Sequence, residues 1–273
     1  MSDDPNIDAY FERIGFAGSI APSLATLEAL QALHPAAIPF ENLDPLMGVP
    51  VRLDLRNLEQ KLIFEKRGGY CFEQNLLFRA VLEDLGYEVK AFAARVHWGH
   101  PAGEERPLSH MVLGVEVNGS DYLADVGFGV LSLTAPLRLK PDVEQPTPHG
   151  NFRLVGANPG WLLEAQIGDE WRPVYSFEEI DRTFEDFVAI NDFTQSDTNF
   201  RDNVIAARSE KGRRLALRNT RLRIHNLGGE TEERTLTGIA EVKDVLTGLF
   251  GINLPAGEKL DAALHRVIGD HSG

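Results

Sequence analysis

Apolar residues recur at helical spacing through most of the chain up to residue 86. Residues 23–34 carry them three and four positions apart, so we expect a helix there that Pro35 closes. A broad apolar face also follows Cys71, and Gly86 provides the expected stop of that second helix. The first part of the chain is therefore predicted to be mainly helical.

Beyond residue 86 the pattern changes to the alternation that is typical of strands. Asn118-Gly119 is a strong hairpin signal between two apolar segments, residues 111–117 and 122–126. Residues 176–191 predict a linking helix and residues 242–249 a final one. Further strands are predicted at residues 89–96, 152–155, 161–165, 215–217 and 222–224. The order of helices, strands and then a mixed region favours an α+β fold over a doubly wound α/β fold.

The predicted hairpin determines which of its residues share a face. A two-residue loop pairs Val117 with Ser120, which makes His110 and Asp125 diagonal neighbours on one face, roughly 7–8 Å apart at Cα. A four-residue loop keeps this parity, whereas a three-residue loop would place the two residues on opposite faces. The other face is then a continuous apolar surface suited to a core, formed by Met111, Leu113, Val115, Val117, Tyr122, Ala124 and Val126.

Cys71 is the single cysteine, and it follows a glycine pair at the expected beginning of a helix. Unpaired N–H groups and the helix dipole favour a thiolate at such a position. A cysteine nucleophile needs a base and a group that orients the base, and His110 with Asp125 supplies both. The alternative is that Cys71 is a small buried apolar residue and that the other two are structural.

Composition and charge exclude several classes of protein. The 273 residues carry a formal net charge of -14, which argues against general binding of nucleic acid or anionic membranes. No apolar run approaches the ~18 residues of a membrane span, and the acidic N-terminus lacks the apolar segment of a secretory signal. With one cysteine, this predicts a cytoplasmic protein. His97 and His100 lack the further ligands of a zinc site, so no metal is expected.

Four stretches of the chain resemble the arylamine N-acetyltransferase family, densely over the first 130 residues and more thinly near residues 200–208. They are residues 9–15 (AYFERIG), 38–43 (IPFENL), 67–75 (RGGYCFEQN) and 124–129 (ADVGFG). The resemblance implies an N-terminal helical bundle (1–86), a β-barrel-like middle domain (87–190) and a C-terminal α/β lid (191–273). It also implies a core like that of cysteine proteases.

The resemblance further implies a ping-pong reaction in which acetyl-CoA acylates the cysteine and an arylamine, arylhydrazine or arylhydroxylamine accepts the acetyl group. The catalytic positions of the family fall on Cys71, His110 and Asp125, the same residues that the hairpin brings together. Its acceptor-pocket positions fall on Phe40, Val96, Phe128 and Val130. Acetyl-CoA is then a cosubstrate, no cofactor is permanently bound, and the protein is a monomer or weak homo-oligomer.

Some interpretations stay open at this point. Gly127 and Gly129 either let the CoA arm approach closely or serve a tight turn. The basic residues between 201 and 223 either receive CoA phosphates or form solvated strand faces. Arg67 and Glu41 are best read as a buried ion pair that supports the site. A cysteine hydrolase with the same three residues, peptidase or amidase, is the alternative enzyme, and a binding module is the non-enzymatic one.

Overall fold

The computed structural model describes residues 4–101 and 103–269. A π-helical turn (Gln60–Phe64) directly continues α4. The helices are α1 (Ile7–Ile14), α2 (Leu24–Ala37), α3 (Leu43–Leu46), α4 (Leu55–Glu59), α5 (Cys71–Asp84), α6 (Phe184–Thr194), α7 (Thr198–Arg201), α8 (Ile239–Gly248) and α9 (Glu258–Ile268). Among these helices of the described residues, none is long and apolar enough to cross a membrane.

The strands form two antiparallel sheets. The larger has eight strands in the order β5-β4-β3-β2-β9-β8-β7-β6 and is barrel-like, and the smaller has the order β1-β10-β11-β12-β13. The strands are β1 (Phe40–Glu41), β2 (Glu88–Val96), β3 (Leu108–Val117), β4 (Ser120–Ala124), β5 (Leu137–Arg138), β6 (Glu144–Thr147), β7 (Gly150–Gly156), β8 (Trp161–Ile167), β9 (Glu170–Phe177), β10 (Ile205–Glu210), β11 (Arg213–Arg218), β12 (Arg221–Asn226) and β13 (Thr231–Thr235).

The hairpin of β3 and β4 has the register that the sequence predicts. Val117 pairs with Ser120 and Leu113 with Ala124, around a two-residue loop in which both Asn118 and Gly119 have positive φ. The predicted apolar face packs into the core that α5 shares with this hairpin. Val112, on the opposite face, belongs to a second core inside the barrel-like sheet. A third core joins the smaller sheet to α8 and α9.

Two predicted elements are wrong in their bounds. Helix α2 does not end at Pro35 but runs to Ala37, because a proline in the last turn removes only one intrahelical donor. Residues 176–191 are not one helix, since β9 extends to Phe177 and α6 begins at Phe184. Phe177 stacks on Phe92 across the sheet, and this long-range pairing overrides the local helical pattern.

The mixed fold with helices first and a barrel-like sheet next is as predicted, whereas α7, α9, β1, β5, β6, β10 and β13 have no counterpart in the sequence analysis. The domain boundaries at residues 86 and 190, the lid and the cysteine-protease-like core stay predictions. The smaller sheet crosses that proposed division, because β1 pairs with β10.

A buried chain of hydrogen bonds fixes the segments on either side of Cys71. The Gln74 amide donates to the carbonyls of Pro39 and Gly69, so its oxygen faces His34. His34 Nε2–H donates to that oxygen over 2.6 Å, and Nδ1 accepts from the Tyr10 hydroxyl over 2.8 Å. His34 therefore serves as a neutral ring that connects α1, α2 and α5.

Lowering the pH from 7 to 5 is expected to reduce the unfolding free energy by about 2 kcal/mol through His34 alone. Burial lowers the pKa of His34 to about 4, whereas an unfolded histidine titrates near about 6.5. The unfolded chain binds more protons between these values, so stability falls as the pH falls through that window. Urea unfolding at several pH values measures the slope. His34→Gln cannot titrate and should show a shallower slope; equal slopes would contradict the assignment.

Candidate active site

Cys71 is the first residue of α5, and two glycines allow the chain to reach that position. A Cβ on Gly68 would lie 2.1 Å from the carbonyl oxygen of Pro39, and one on Gly69 would lie 2.7 Å from Glu73 Oε2. Tyr70 is the N-cap residue, and its N–H donates to Glu73 Oε2 over 3.0 Å. The nucleophile candidate thus begins a capped helix, ahead of the first intrahelical hydrogen bond, from Gln74 N–H to Tyr70.

An irregularity in β3 lies directly beside His110. Ala94 of β2 pairs with His110 and Arg95 pairs with Leu108, so Ser109 has no partner in β2. Such a bulge re-aims the side chains next to it. Ser109 also presents its carbonyl oxygen 3.8 Å from Cys71 Sγ. The bulge therefore brings the start of β3 against the N-terminus of α5.

His110 and Asp125 meet as the hairpin predicts. His110 Nε2 lies 2.8 Å from Asp125 Oδ2, and both side chains are buried. Burial alone would lower the pKa of His110, but the Asp125 carboxylate and Cys71 raise it to about 10. Because Nε2 is engaged by Asp125, Nδ1 is the ring nitrogen that remains available to the Cys71 sulfur. The ring is thus an imidazolium at neutral pH.

Three donors hold the Asp125 carboxylate. Oδ1 accepts from Asn75 Nδ2 and from the Gly127 N–H, each over 2.9 Å, while Oδ2 faces His110. Burial would raise the pKa of Asp125, but His110 and these hydrogen bonds lower it below its usual value. Asn75 also donates to the Met111 carbonyl, so it ties α5 to β3 as well as to Asp125. The carboxylate is therefore ionised and fixed in direction.

Two aromatic rings pack against His110. Phe128 lies edge-on to the imidazole with ring centroids 5.1 Å apart, and the Tyr175 ring is equally close. Val96, at the end of β2, pairs with Tyr175. These contacts bring the predicted acceptor-pocket residues Phe128 and Val96 to the same side as the imidazole. Their role in binding an acceptor stays a prediction.

The other two predicted pocket residues lie beside Gly129. Phe40 is in β1, and a Cβ on Gly129 would lie 3.6 Å from its ring. Val130 contacts two of the three cores, and its carbonyl accepts a hydrogen bond from the buried Arg214. Phe40 and Val130 are therefore partly engaged in packing, and an acceptor would meet only what remains exposed of them.

The two glycines of the proposed CoA approach have different structural roles. A Cβ on Gly127 would lie 2.8 Å from Cys71 Cα and 2.9 Å from both Cys71 O and Asn75 Nδ2. Gly129 has a φ of 89°, which favours glycine. Gly127 thus allows α5 to pack closely against the chain at this point. For both Gly127 and Gly129, contact with CoA stays a prediction.

Several other residues that the sequence analysis singled out form ion pairs within the chain. Arg67 and Glu41 form the predicted buried ion pair at 2.7 Å. In the basic stretch, Arg208 and Arg213 pair with Glu210, and Arg221 and Arg223 pair with Glu233, which favours the solvated-face interpretation. Binding of CoA phosphates by this stretch remains a prediction.

The two histidines considered for zinc also contact other groups. His97 Nε2 lies 2.8 Å from Ser176 Oγ, and His100 Nε2 lies 3.0 Å from Arg106 Nη2. No group of three or more His, Cys, Asp or Glu side chains suited to a metal is found within residues 4–101 and 103–269.

Three comparisons relate the chain to known proteins. A family model described as N-acetyltransferase matches residues 23–259. The arylamine N-acetyltransferase of Mycobacterium tuberculosis (strain ATCC 25618 / H37Rv) is 41% identical over 255 residues, covering 91% of this chain and 90% of the relative. An arylamine N-acetyltransferase / N-hydroxyarylamine O-acetyltransferase of Salmonella typhimurium is 35% identical over 251 residues, covering 91% and 89%. The solved structure of Mycobacterium marinum arylamine N-acetyltransferase in complex with CoA is 38% identical with a TM-score of 0.92, covering 96% and 99%.

The fold and the family match define the chain as an acyltransferase, and within that class as an N-acetyltransferase. More particularly, the chain belongs to the arylamine N-acetyltransferase family. The resemblance carried by the segments at residues 38–43 and 67–75 is thereby confirmed.

Proposed function

We propose that the protein transfers the acetyl group of acetyl-CoA to the nitrogen of arylamines and arylhydrazines, or to the oxygen of arylhydroxylamines, through an acetyl-Cys71 intermediate. The observation that carries this proposal is the buried His110–Asp125 pair at 2.8 Å, next to a cysteine at a helix N-terminus whose sulfur lies 3.8 Å from the carbonyl oxygen of Ser109. We expect it to work in the cytoplasm as a monomer or weak homo-oligomer, with no resident cofactor. Membership of the family and a relative solved with CoA support this substrate pair.

In the first half-reaction the Cys71 thiolate attacks the thioester carbonyl of acetyl-CoA. A bond forms between Sγ and the carbonyl carbon, and the bond from that carbon to the CoA sulfur breaks. The departing CoA thiolate takes a proton from the His110 imidazolium. Because one thioester replaces another, this exchange is near-balanced in energy.

Charge develops on the carbonyl oxygen during the attack, and N–H donors must meet it. The Cys71 N–H is one candidate, because it belongs to the first turn of α5, whose N–H groups precede the intrahelical ladder. The helix dipole favours negative charge at the same place. A second donor is required to complete the oxyanion hole.

In the second half-reaction the neutral amine attacks the acetyl-cysteine carbonyl. His110, now neutral, takes the proton that the nitrogen loses, and the Cys71 thiolate leaves. Asp125 keeps Nε2–H engaged throughout, so the other ring nitrogen is always the one directed at the reacting atoms. The aromatic side chains Phe128 and Phe40 would offer an arylamine ring its apolar surroundings.

Brief exposure of the protein to acetyl-CoA is expected to add one acetyl group, which intact-mass spectrometry detects, and fragment analysis should locate it on the peptide that contains Cys71. Addition of an arylamine should then remove the group and accelerate the release of free CoA. A cysteine hydrolase would instead cleave amides or peptides without arylamine-dependent CoA release. A protein that gains no acetyl group and releases no CoA would refute the proposal.

A further inference from the structure

A buried cluster of five charged side chains lies beneath the N-terminus of α5. Lys61 Nζ is 2.6 Å from both Asp44 Oδ2 and Glu73 Oε1, and Arg67 contacts Asp44 at 2.8 Å and Glu41 at 2.7 Å. The side chains are at most 12% exposed. Two cations thus face three carboxylates, drawn from β1, α3, the π-helical turn, the segment before α5 and α5 itself.

Glu73 connects this cluster to the nucleophile. One carboxylate oxygen accepts from Lys61 and the other accepts the Tyr70 N–H, which caps α5 immediately before Cys71. A carboxylate at the third helical position that reaches back to the N-cap N–H is the second half of a capping box. The direction of the Glu73 carboxylate therefore helps to set where α5 begins, and with it the position of the Cys71 sulfur.

Lys61 reaches Glu73 from a backbone segment of unusual helical geometry. It lies in the π-helical turn, where the Glu65 N–H donates to the Gln60 carbonyl across five residues over 2.8 Å. Such turns occur chiefly as single insertions in α-helices and frequently at functional sites. The turn delivers one ammonium group between two carboxylates that would otherwise face each other.

We propose that Lys61 is a positioning residue for the acetyl-transfer site: by pairing with Glu73 and Asp44 it keeps the Glu73 carboxylate ionised on the Tyr70 N–H, and so holds Cys71 where His110 can reach it. The proposal rests on the proposed function, because it assigns Lys61 a role through that nucleophile. This role is distinct from that of the ion pair of Arg67 and Glu41, which does not involve Glu73.

The charge balance indicates what the loss of Lys61 would do. Burial raises the pKa of Glu73, and Lys61 opposes that rise while Asp44 and Glu41 add to it. Without Lys61, only Arg67 would face the three carboxylates, and Glu73 would keep its proton to a higher pH than in the native protein. A protonated Glu73 caps the Tyr70 N–H less well, so the first turn of α5 would loosen around Cys71.

Lys61→Met is expected to slow alkylation of Cys71 by iodoacetamide about tenfold at pH 7. Its rate should recover as the pH rises and Glu73 loses its proton, and this step should lie at a higher pH than in the native protein. Intact-mass spectrometry gives the rate constants from pH 5.5 to 9, under conditions where circular dichroism shows each variant to be folded. Lys61→Gln, which keeps a donor but not the charge, tests the same point if Lys61→Met does not fold.

The double variant Lys61→Met with Glu73→Gln provides the decisive comparison. It restores the net charge of the cluster, and a glutamine oxygen can cap the Tyr70 N–H without needing an ammonium partner. We expect its alkylation rate to return to within about threefold of the native rate, with the added pH dependence gone. Lys90→Met removes an exposed lysine from β2 and should leave rate and profile unchanged.

Folded Lys61 variants with the native rate and pH profile would overturn the proposal, as would a double variant no faster than Lys61→Met. A lowered melting temperature with unchanged alkylation of the folded protein would also overturn it, since that is what a merely structural lysine predicts. The proposed function fails separately, if the native protein itself forms no acetyl-Cys71.

Discussion

Asp125→Asn is expected to lower kcat/KM for acetyl transfer about 10⁴-fold while leaving the fold intact. The native carboxylate accepts from His110 through one oxygen and from Asn75 and Gly127 through the other. An asparagine of the same shape replaces one of these oxygens with a donor. The site therefore loses an acceptor without losing volume.

Neither orientation of that asparagine preserves the native arrangement. With its oxygen towards His110, its NH₂ group meets the N–H donors of Asn75 and Gly127, and no acceptor lies between them. With its NH₂ group towards His110, Nε2 must accept, and the neutral ring then carries its proton on Nδ1. In that tautomer the ring cannot take the proton of the Cys71 thiol.

Release of free CoA in the presence of an arylamine measures the effect, and thermal unfolding confirms that the variant is folded. Asp121→Asn is the matched control, because it makes the same change at an exposed position of β4. The control should retain native activity. A loss below tenfold in Asp125→Asn would show that this carboxylate does not orient the base.

Gly127→Ala is expected to lower turnover about 10²- to 10³-fold and to destabilise the protein by about 1–3 kcal/mol. The added methyl would lie 2.8 Å from Cys71 Cα and 2.9 Å from Cys71 O. Both neighbours are backbone atoms of α5 and cannot rotate away. The first turn of α5 would have to move from the segment that follows β4, which separates the sulfur from His110.

Acetyl-transfer rates below the melting temperature of the variant separate misplacement of the sulfur from unfolding, and urea unfolding gives the change in stability. Gly156→Ala is the matched control, since a Cβ at that position in β7 meets no atom within 4 Å. Native turnover in Gly127→Ala would mean that α5 tolerates the shift. The predicted role of this glycine in binding CoA would then be tested separately, by the KM for acetyl-CoA.

The part of the site that lies on neighbouring strands could be predicted from the sequence. The Asn118-Gly119 loop leaves one register that buries a continuous apolar face, and this register alone brings His110 and Asp125 together. The sequence also predicted that Cys71 acts with these two residues, because a glycine pair precedes it and a helix is predicted to follow it. Such local signals are strong because turn type and side-chain parity are set by adjacent residues.

The supporting residues were missed for physical reasons. Asn75 is four residues after Cys71, so helical spacing would have placed it on the same face and could have identified it. Tyr175 reaches His110 only through the pairing of β9 with β2, which no local pattern encodes. Lys61 depends on a π-helical turn, and the sequence around it has the same apolar spacing as an ordinary helix.

The pairing of β1 with β10 has a consequence for the nascent chain during translation. Asn42, which follows β1, donates to the carbonyl of Asn203, 161 residues further on, and Phe40 pairs with Ala207. At translation speeds of about 5–20 residues per second, the helix that begins at Cys71 leaves the ribosome roughly 6 to 25 seconds before β10 does. Throughout that interval β1 presents an open edge, so a stalled polypeptide that ends before residue 205 offers chaperones and proteases an unfinished sheet beside its one thiol.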